Sequence, residues 1–198
     1  MHQSRFFPRA GRGLAAVLVA AAVLAGARAA RASMVLAMDL PTMAAQAERI
    51  VVGEVMAVQS AWDKSHTRII TTVDIQVAEV WKGQVAGDGH ITVMQPGGTV
   101  DGIEMIVHGM PSFSTGERAV LFLRGGMARA ASVVGMGQGK RALDFDALTS
   151  RWMVGGGDRS AAVKLDRLGR PLAAPPEPAM PLEQMRQRIQ SLVGPGTR

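Results

Sequence analysis

The chain contains no cysteine. Disulfides are thereby excluded, so a fold exported to an oxidising compartment would still stand on its core alone. A lipid-modified cysteine behind a leader segment is excluded as well. Several catalytic signatures are missing too. No H-E-x-x-H motif pairs histidines for zinc, and His66, His90 and His108 keep no recognised ligand spacing. No G-x-S-x-G elbow presents a serine, and Ser112 and Ser114 are merely close in sequence to His108 and Asp101. Gly135, Gly137 and Gly139 follow a strand pattern but open no helix, so they mark bends rather than a phosphate cradle. Thirteen methionines include no M-x-x-M cluster of the kind that binds copper; core gap-filling accounts for them. None of these patterns implies a cofactor or a metal. Internal repeats and heptads are absent.

One apolar run stands out, Leu14 to Ala27. Arg5, Arg9 and Arg12 precede it, with no Arg-Arg pair, and small residues follow. This is the layout of a secretory signal peptide, with cleavage expected after Ala32 or, alternatively, after Ala29. Fourteen helical residues would reach roughly 21 Å, short of the ~30 Å hydrocarbon core, so a retained membrane span is not expected. The formal charge of +6 also belongs to this segment. Five of the 22 bases and none of the 16 acids lie in residues 1–32, which leaves 17 bases against 16 acids. A nucleic-acid partner loses its main support. The chain is expected to be exported, to the periplasm or beyond.

What remains reads as β structure. In Arg68 to Gly83, Val73, Ile75 and Val77 alternate with Thr72, Asp74 and Gln76, a period of two with one buried face. The phase slips at Ala78–Glu79, where one extra residue, a β-bulge, would restore register and bend the strand. Ile50 to Trp62 forms its hairpin partner across Asp63–His66, and Gly53 inside it suggests a second bend. His90 to Gln95 is a third strand, and Thr99 to Gly109 a weak strand or strap. Ala119 to Leu123, apolar throughout, is a central strand, with short strands at Ala131–Met136 and Lys140–Phe145. Asp39 or Thr42 caps a short helix that includes Pro41 and turns Met43, Ala47 and Ile50 to one side. Leu182, Met185, Ile189 and Leu192 form the stripe of a C-terminal amphipathic helix, expected to dock on the sheet, with membrane or partner binding as the alternative.

The expected fold is therefore mainly β: an OB-like Greek-key antiparallel barrel with a short N-terminal helix and a C-terminal amphipathic helix. Residues 1–32 form the signal peptide and 33–49 an N-terminal segment with the short helix. The barrel spans 50–147, an irregular hairpin and Pro-rich linker 148–180, and the C-terminal helix 181–194. Within 148–180, Arg151–Val154 and Ala161–Leu165 are expected to pair across Gly155–Gly157.

Several short motifs, Val80-Trp81-Lys82-Gly83, Gly116-Glu117 and Gln138-Gly139-Lys140, together with the order of elements, resemble a group of exported bacterial proteins. Over residues 40–145 the layout is similar to netrin-like modules, the OB class that includes the tissue inhibitors of metalloproteinases. Those inhibitors chelate zinc through an N-terminal cysteine, which this chain lacks, so their mechanism is not carried over.

A binding role without catalysis is the expected function, with an exported protein or peptide, a protease among them, as partner. The alternatives are an envelope structural or assembly factor and an unrecognised hydrolase built on His108, Ser112 and an acid. Candidate partner contacts are Ser33, Asp63 and His66, Gly97 and Gly98, and the exposed-looking Gln138 and Lys140. For a netrin-like role, the residues from Ser33 and the Asp63–His66 and Pro96–Gly102 loops would have to meet at one end. Asp144 and Asp146 share one side of a strand, most simply as a solvated face. Trp62, Trp81 and Trp152 line a ligand groove or, more simply, close the ends of the core.

Overall fold

The computed structural model describes residues 35–125 and 130–194. The signal-peptide region and Ser33 lie outside them. Asp39 Oδ1 accepts the Thr42 N–H at 2.9 Å and so caps helix α1 (Leu40–Gln46), whose Met43 and Ala44 are buried. The chain passes directly into a long hairpin, β2 (Arg49–Trp62) and β3 (Ile69–Lys82).

Asp63 builds the turn of that hairpin. Its carboxylate accepts the Thr67 and Arg68 N–H groups at 2.8 and 3.2 Å and the Ser65 hydroxyl at 2.9 Å. These bonds, the Thr67 N–H foremost, hold its carboxyl down at about 2. A depressed carboxyl stabilises the fold above its ordinary range, and that contribution is lost as pH falls from 3.8 through about 2. Urea unfolding of Asp63→Asn and the parent between pH 5 and pH 2 is therefore expected to diverge at the high end and converge at the low end. A constant difference would show that the turn does not depend on the carboxylate.

The hairpin is bent three times. Glu79 pairs with Val52 and Val77 with Gly53, leaving Ala78 as the extra residue at the predicted phase slip. Trp81 is extra between Val80 and Lys82, and Met56 between Val55 and Ala57 on the other strand. Gly53 sits where the strands crowd. A Cβ there would lie 2.5 Å from Ile75 Cγ2 and 2.9 Å from the Gln76 carbonyl.

β4 (His90–Pro96) extends the sheet beyond β3, and β7 (Arg118–Arg124) beyond β2. β9 (Lys140–Asp146), β10 (Arg151–Val154) and β13 (Met180–Pro181) follow, in the order β13-β10-β9-β7-β2-β3-β4. β8 (Ser132–Val133) pairs with β7, and the preceding Ala131 makes a single parallel bridge to Val93 of β4. The fold is mainly β, as expected, but among the described residues the ladders do not close into a barrel. β5 (Gly98–Val100) and β6 (Ile103–Met105) make a small hairpin within the strap.

β7 explains its own continuous apolar run, because both of its faces are buried. Val120 and Phe122 face the helices together with Met43, Ile50 and Leu143. Ala119, Leu121 and Leu123 face inward with Val55, Val73, Ile75 and Val93. Helix α2 (Leu182–Val193) seals the first of these cores with Met185 and Ile189, so the docking expectation is the one observed. Arg186 adds two bonds to the Glu79 carboxylate, at 2.8 and 2.7 Å, and Trp81 Nε1 donates to the same group at 2.9 Å. Leu192 does not share this burial and is half-exposed. Among the described residues no helix is long and apolar enough to cross a membrane.

The expected hairpin between Arg151–Val154 and Ala161–Leu165 does not form. β10 pairs with β9 and β13, whereas β11 (Ala162–Leu165) pairs in parallel with β1 (Val35–Leu36) and antiparallel with β12 (Pro171–Ala173). Gly156 and Gly157 serve close packing instead of a turn. A Cβ on either would lie 2.6 Å from the Glu177 carbonyl or 2.1 Å from that of Gln138. The Pro-rich stretch is likewise more than a linker, since it carries β13 and returns to the sheet.

Candidate functional site: a groove beside the N-terminal segment

The expected contact residues separate into three places. Asp63 and His66 occupy the hairpin tip, where His66 stacks on Trp62 with centroids 6.2 Å apart. Gly97 and Gly98 join them at that end: the Gly97 N–H donates to the Ile69 carbonyl at 2.9 Å, and the Thr71 hydroxyl donates to the Gly97 carbonyl at 2.6 Å. The shallow depression beside them, about 380 Å³, is lined in part by Ser112 but by neither His108 nor Asp101. The triad required for a hydrolase is therefore not gathered there. Lys140 is a clamp, bonded to Glu117 and the Ser112 carbonyl and lying over the Phe113 ring at 4.8 Å.

Gln138 overturns its expected exposure. It is 1 % exposed, because its amide spans two pieces of backbone. Oε1 accepts the Met38 N–H at 2.8 Å, and Nε2 donates to the Leu36 and Gly135 carbonyls at 3.1 and 3.2 Å. The N-terminal segment is thus held against the Gln138 turn and leads through α1 into Arg49, the end of β2 opposite the hairpin tip. The hairpin tip and the Gly97–Gly98 turn share one end of the hairpin; the described N-terminal residues, from Val35 onward, are held at Gln138 instead.

What Gln138 holds in place is one wall of a groove of about 830 Å³. Leu36 pairs with Val163, and Leu165 lies two residues on, so the three side chains share one face of the β1–β11–β12 sheet. Leu36 and Leu165 are 57 % and 50 % exposed. Thr42 and Gln46 of α1 form a polar rim, and Pro175, Pro176 and Pro178 form the far wall. Thr42 hydrogen bonds, helped by the charge of Arg159, keep the rim carboxyl of Asp39 below its usual range.

The floor is charged. Glu177 lies between two arginines, bonded through Oε2 to Arg141 and through Oε1 to Arg159 at 2.7 Å. Arg159 also donates to the Met38 carbonyl, tying the N-terminal wall to the proline wall. The arginine side chains are 2 % and 8 % exposed and the glutamate 25 %. Arg141 Nε and Nη2 and Arg159 Nε have no partner among the described residues. Buried guanidinium groups with unfilled donors are costly, and such donors call for a partner.

No family model, curated protein or solved structure matches this chain. The reading of the groove therefore rests on its own geometry. Among the described residues no group of three or more His, Asp or Glu could hold a metal. His90 Nδ1 and Asp74 Oδ1, 3.0 Å apart, form a surface pair on β4 and β3. The arrangement is suited to recognition: an apolar face to grip side chains, a polar rim, and buried charge to fix orientation. Alternation in Ala162–Leu165 was available as a strand signal, and Glu177 is the lone charge in a run of prolines. Neither pointed to the other without the fold.

Proposed function

We propose that this chain is an exported binding module that takes an extended segment of a protein partner into the groove between Leu36, Leu165 and Pro175–Pro178, without catalysis. The observation that carries this reading is the pair Leu36 and Leu165, half-exposed side by side in a concavity of about 830 Å³ over a buried charged floor. That size falls within the range of ligand sites, and a partly apolar lining with a few fixed polar groups is their common make-up. Export is supported by the basic, apolar and small-residue pattern of residues 1–32.

The scaffold is read as OB-like. In support, Ala131–Val133 touches β4 on one side and β7 on the other, so β2, β3, β4, this segment and β7 lie in a ring of neighbours. The parallel sense of the Val93–Ala131 bridge agrees with a Greek-key crossover. An assembly factor tethered through α2 is less well supported, because Met185 and Ile189 are already committed to the core.

The test is comparative capture. Residues 33–198 would be immobilised alongside the double variant Leu36→Asp/Leu165→Asp and a control, Met94→Asp, on the outer face of β4. Envelope and secreted proteins of the host would then be passed over all three. A protein retained by the parent and the control but lost by the double variant is the expected result. Equal retention by all three would remove the groove from the reading.

A further inference from the structure

The geometry points to Glu177 being an internal ligand: Arg141 and Arg159 form a carboxylate-binding site that the Pro-rich strap fills in cis and that an acidic, proline-flanked peptide segment of the partner fills in trans. This deepens the groove reading and rests on it for the claim that a partner enters there.

Four observations support it. The two arginines are built into the fold, from β9 and from the turn before β11, and stay buried at 2 % and 8 % side-chain exposure. The carboxylate comes from the outermost segment. From Pro175 to Ala179 every residue is exposed except Glu177, whose carboxylate bonds both arginines and whose carbonyl packs against Gly156. Two guanidinium groups share the Glu177 carboxylate, with the Asp39 carboxylate also in the field of Arg159, and three of their nitrogens have no partner among the described residues. A ligand that brings a carboxylate together with a neighbouring carbonyl oxygen would fill donors that Glu177 leaves empty. Finally, Arg159 and Glu177 lie in the floor of the same groove whose apolar wall is Leu36 and Leu165.

Prolines suit both the strap and its replacement. They offer no N–H that would need a partner in the groove, and their extended conformation is fixed in advance, which lowers the entropy lost on docking. Residues 175–179 lie between β12 and β13, outside the ladders of both, with the Ala174 N–H bonded to the Ala162 carbonyl at 3.2 Å. An occupied site in the free protein would also screen out weak apolar ligands, because only a carboxylate can replace the one displaced.

The probe is the strap itself, as a fluorescein-labelled peptide of residues 173–180, Ala-Ala-Pro-Pro-Glu-Pro-Ala-Met, and the same peptide with Glu177→Gln. Each would be titrated by anisotropy against residues 33–198, against Glu177→Gln in the protein, and against a variant with residues 174–179 replaced by alternating Gly and Ser. Circular dichroism melts would show which variants remain folded. A tethered strap competes at an effective concentration on the order of millimolar, so both variants are expected to bind the acidic peptide at least about tenfold more tightly than the parent. The Gln peptide should bind neither, and adding Arg159→Leu to the Gly-Ser variant should abolish binding. Equal binding of the two peptides would overturn the carboxylate site while leaving an apolar groove, to be judged by the capture experiment. No binding to a folded variant would overturn the internal-ligand idea outright.

Discussion

Ending the chain before Leu182 is expected to unfold the described domain rather than release a tether. Met185 and Ile189 are 1 % and 0 % exposed and complete a core that also holds Met43, Ile50, Phe122 and Val154. Burying two such side chains is worth about 3–6 kcal/mol together, a large share of the 5–15 kcal/mol typical of a whole domain. The loss extends beyond α2. Without Arg186, the Glu79 carboxylate at the bulged end of β3 keeps only the Trp81 N–H as a partner, and the α1 side of the core is opened to water. Chemical denaturation of residues 33–181 should show a much lower midpoint or no cooperative transition, with Ile189→Ala intermediate at about 2–5 kcal/mol. An unchanged midpoint combined with lost envelope localisation would favour the assembly-factor alternative instead.

The second large effect is expected at Gly157. A Cβ there would sit 2.1 Å from the Gln138 carbonyl oxygen and 2.8 Å from Gln138 Cα, so the obstacle is backbone and no rotamer relieves it. Gly157→Val should cost at least the upper end of the ~1–3 kcal/mol typical of overpacking. At this chain length that corresponds to a fall in Tm of roughly 6–12 °C. Gly87→Val is the matched control, because nothing lies within 4 Å of its Cβ and its backbone is unstrained; a change within about 0.5 kcal/mol is expected. Binding should suffer along with stability. Gln138 holds Leu36 and Met38 through its amide, so a displaced Gln138 loosens the groove wall even in molecules that remain folded. A Gly157→Val protein with parental Tm and parental peptide binding would refute the close-packing role.

Local signals carried much of this fold. The period of two in β3, its slip at Ala78, the Asp39 cap and the apolar run of β7 were all legible because each depends on residues within a turn or a strand of one another. The stripe of α2 was legible for the same reason, apart from Leu192. The groove was not. Its walls meet through β1 and β11, through Gln138 and Met38 at a separation of 100 residues, and through Arg159 and Met38 at 121. Pairings of that range leave no periodic mark at either end. Glycines misled for a related reason. Gly155–Gly157 carry the composition of a turn, yet what they accommodate is the backbone of a remote segment. Gln138 misled in a third way, since a polar residue among glycines suggests exposure unless the backbone it satisfies is known.

Those separations also impose an order on assembly. The β2–β3 hairpin can close as soon as Lys82 has emerged, because its turn is local and Asp63 bonds it from within. The groove must wait for the other end of the chain. Until Glu177 is available Arg141 and Arg159 lack the carboxylate that joins them, and until β11 exists Leu36 has no strand to pair with. A chain emerging N-terminus first therefore closes this hairpin well before the groove can exist. A product ending between Arg159 and Ala161 would be the opposite case, an unpaired β1 edge beside two guanidinium groups without Glu177, prone to associate with any exposed strand it meets.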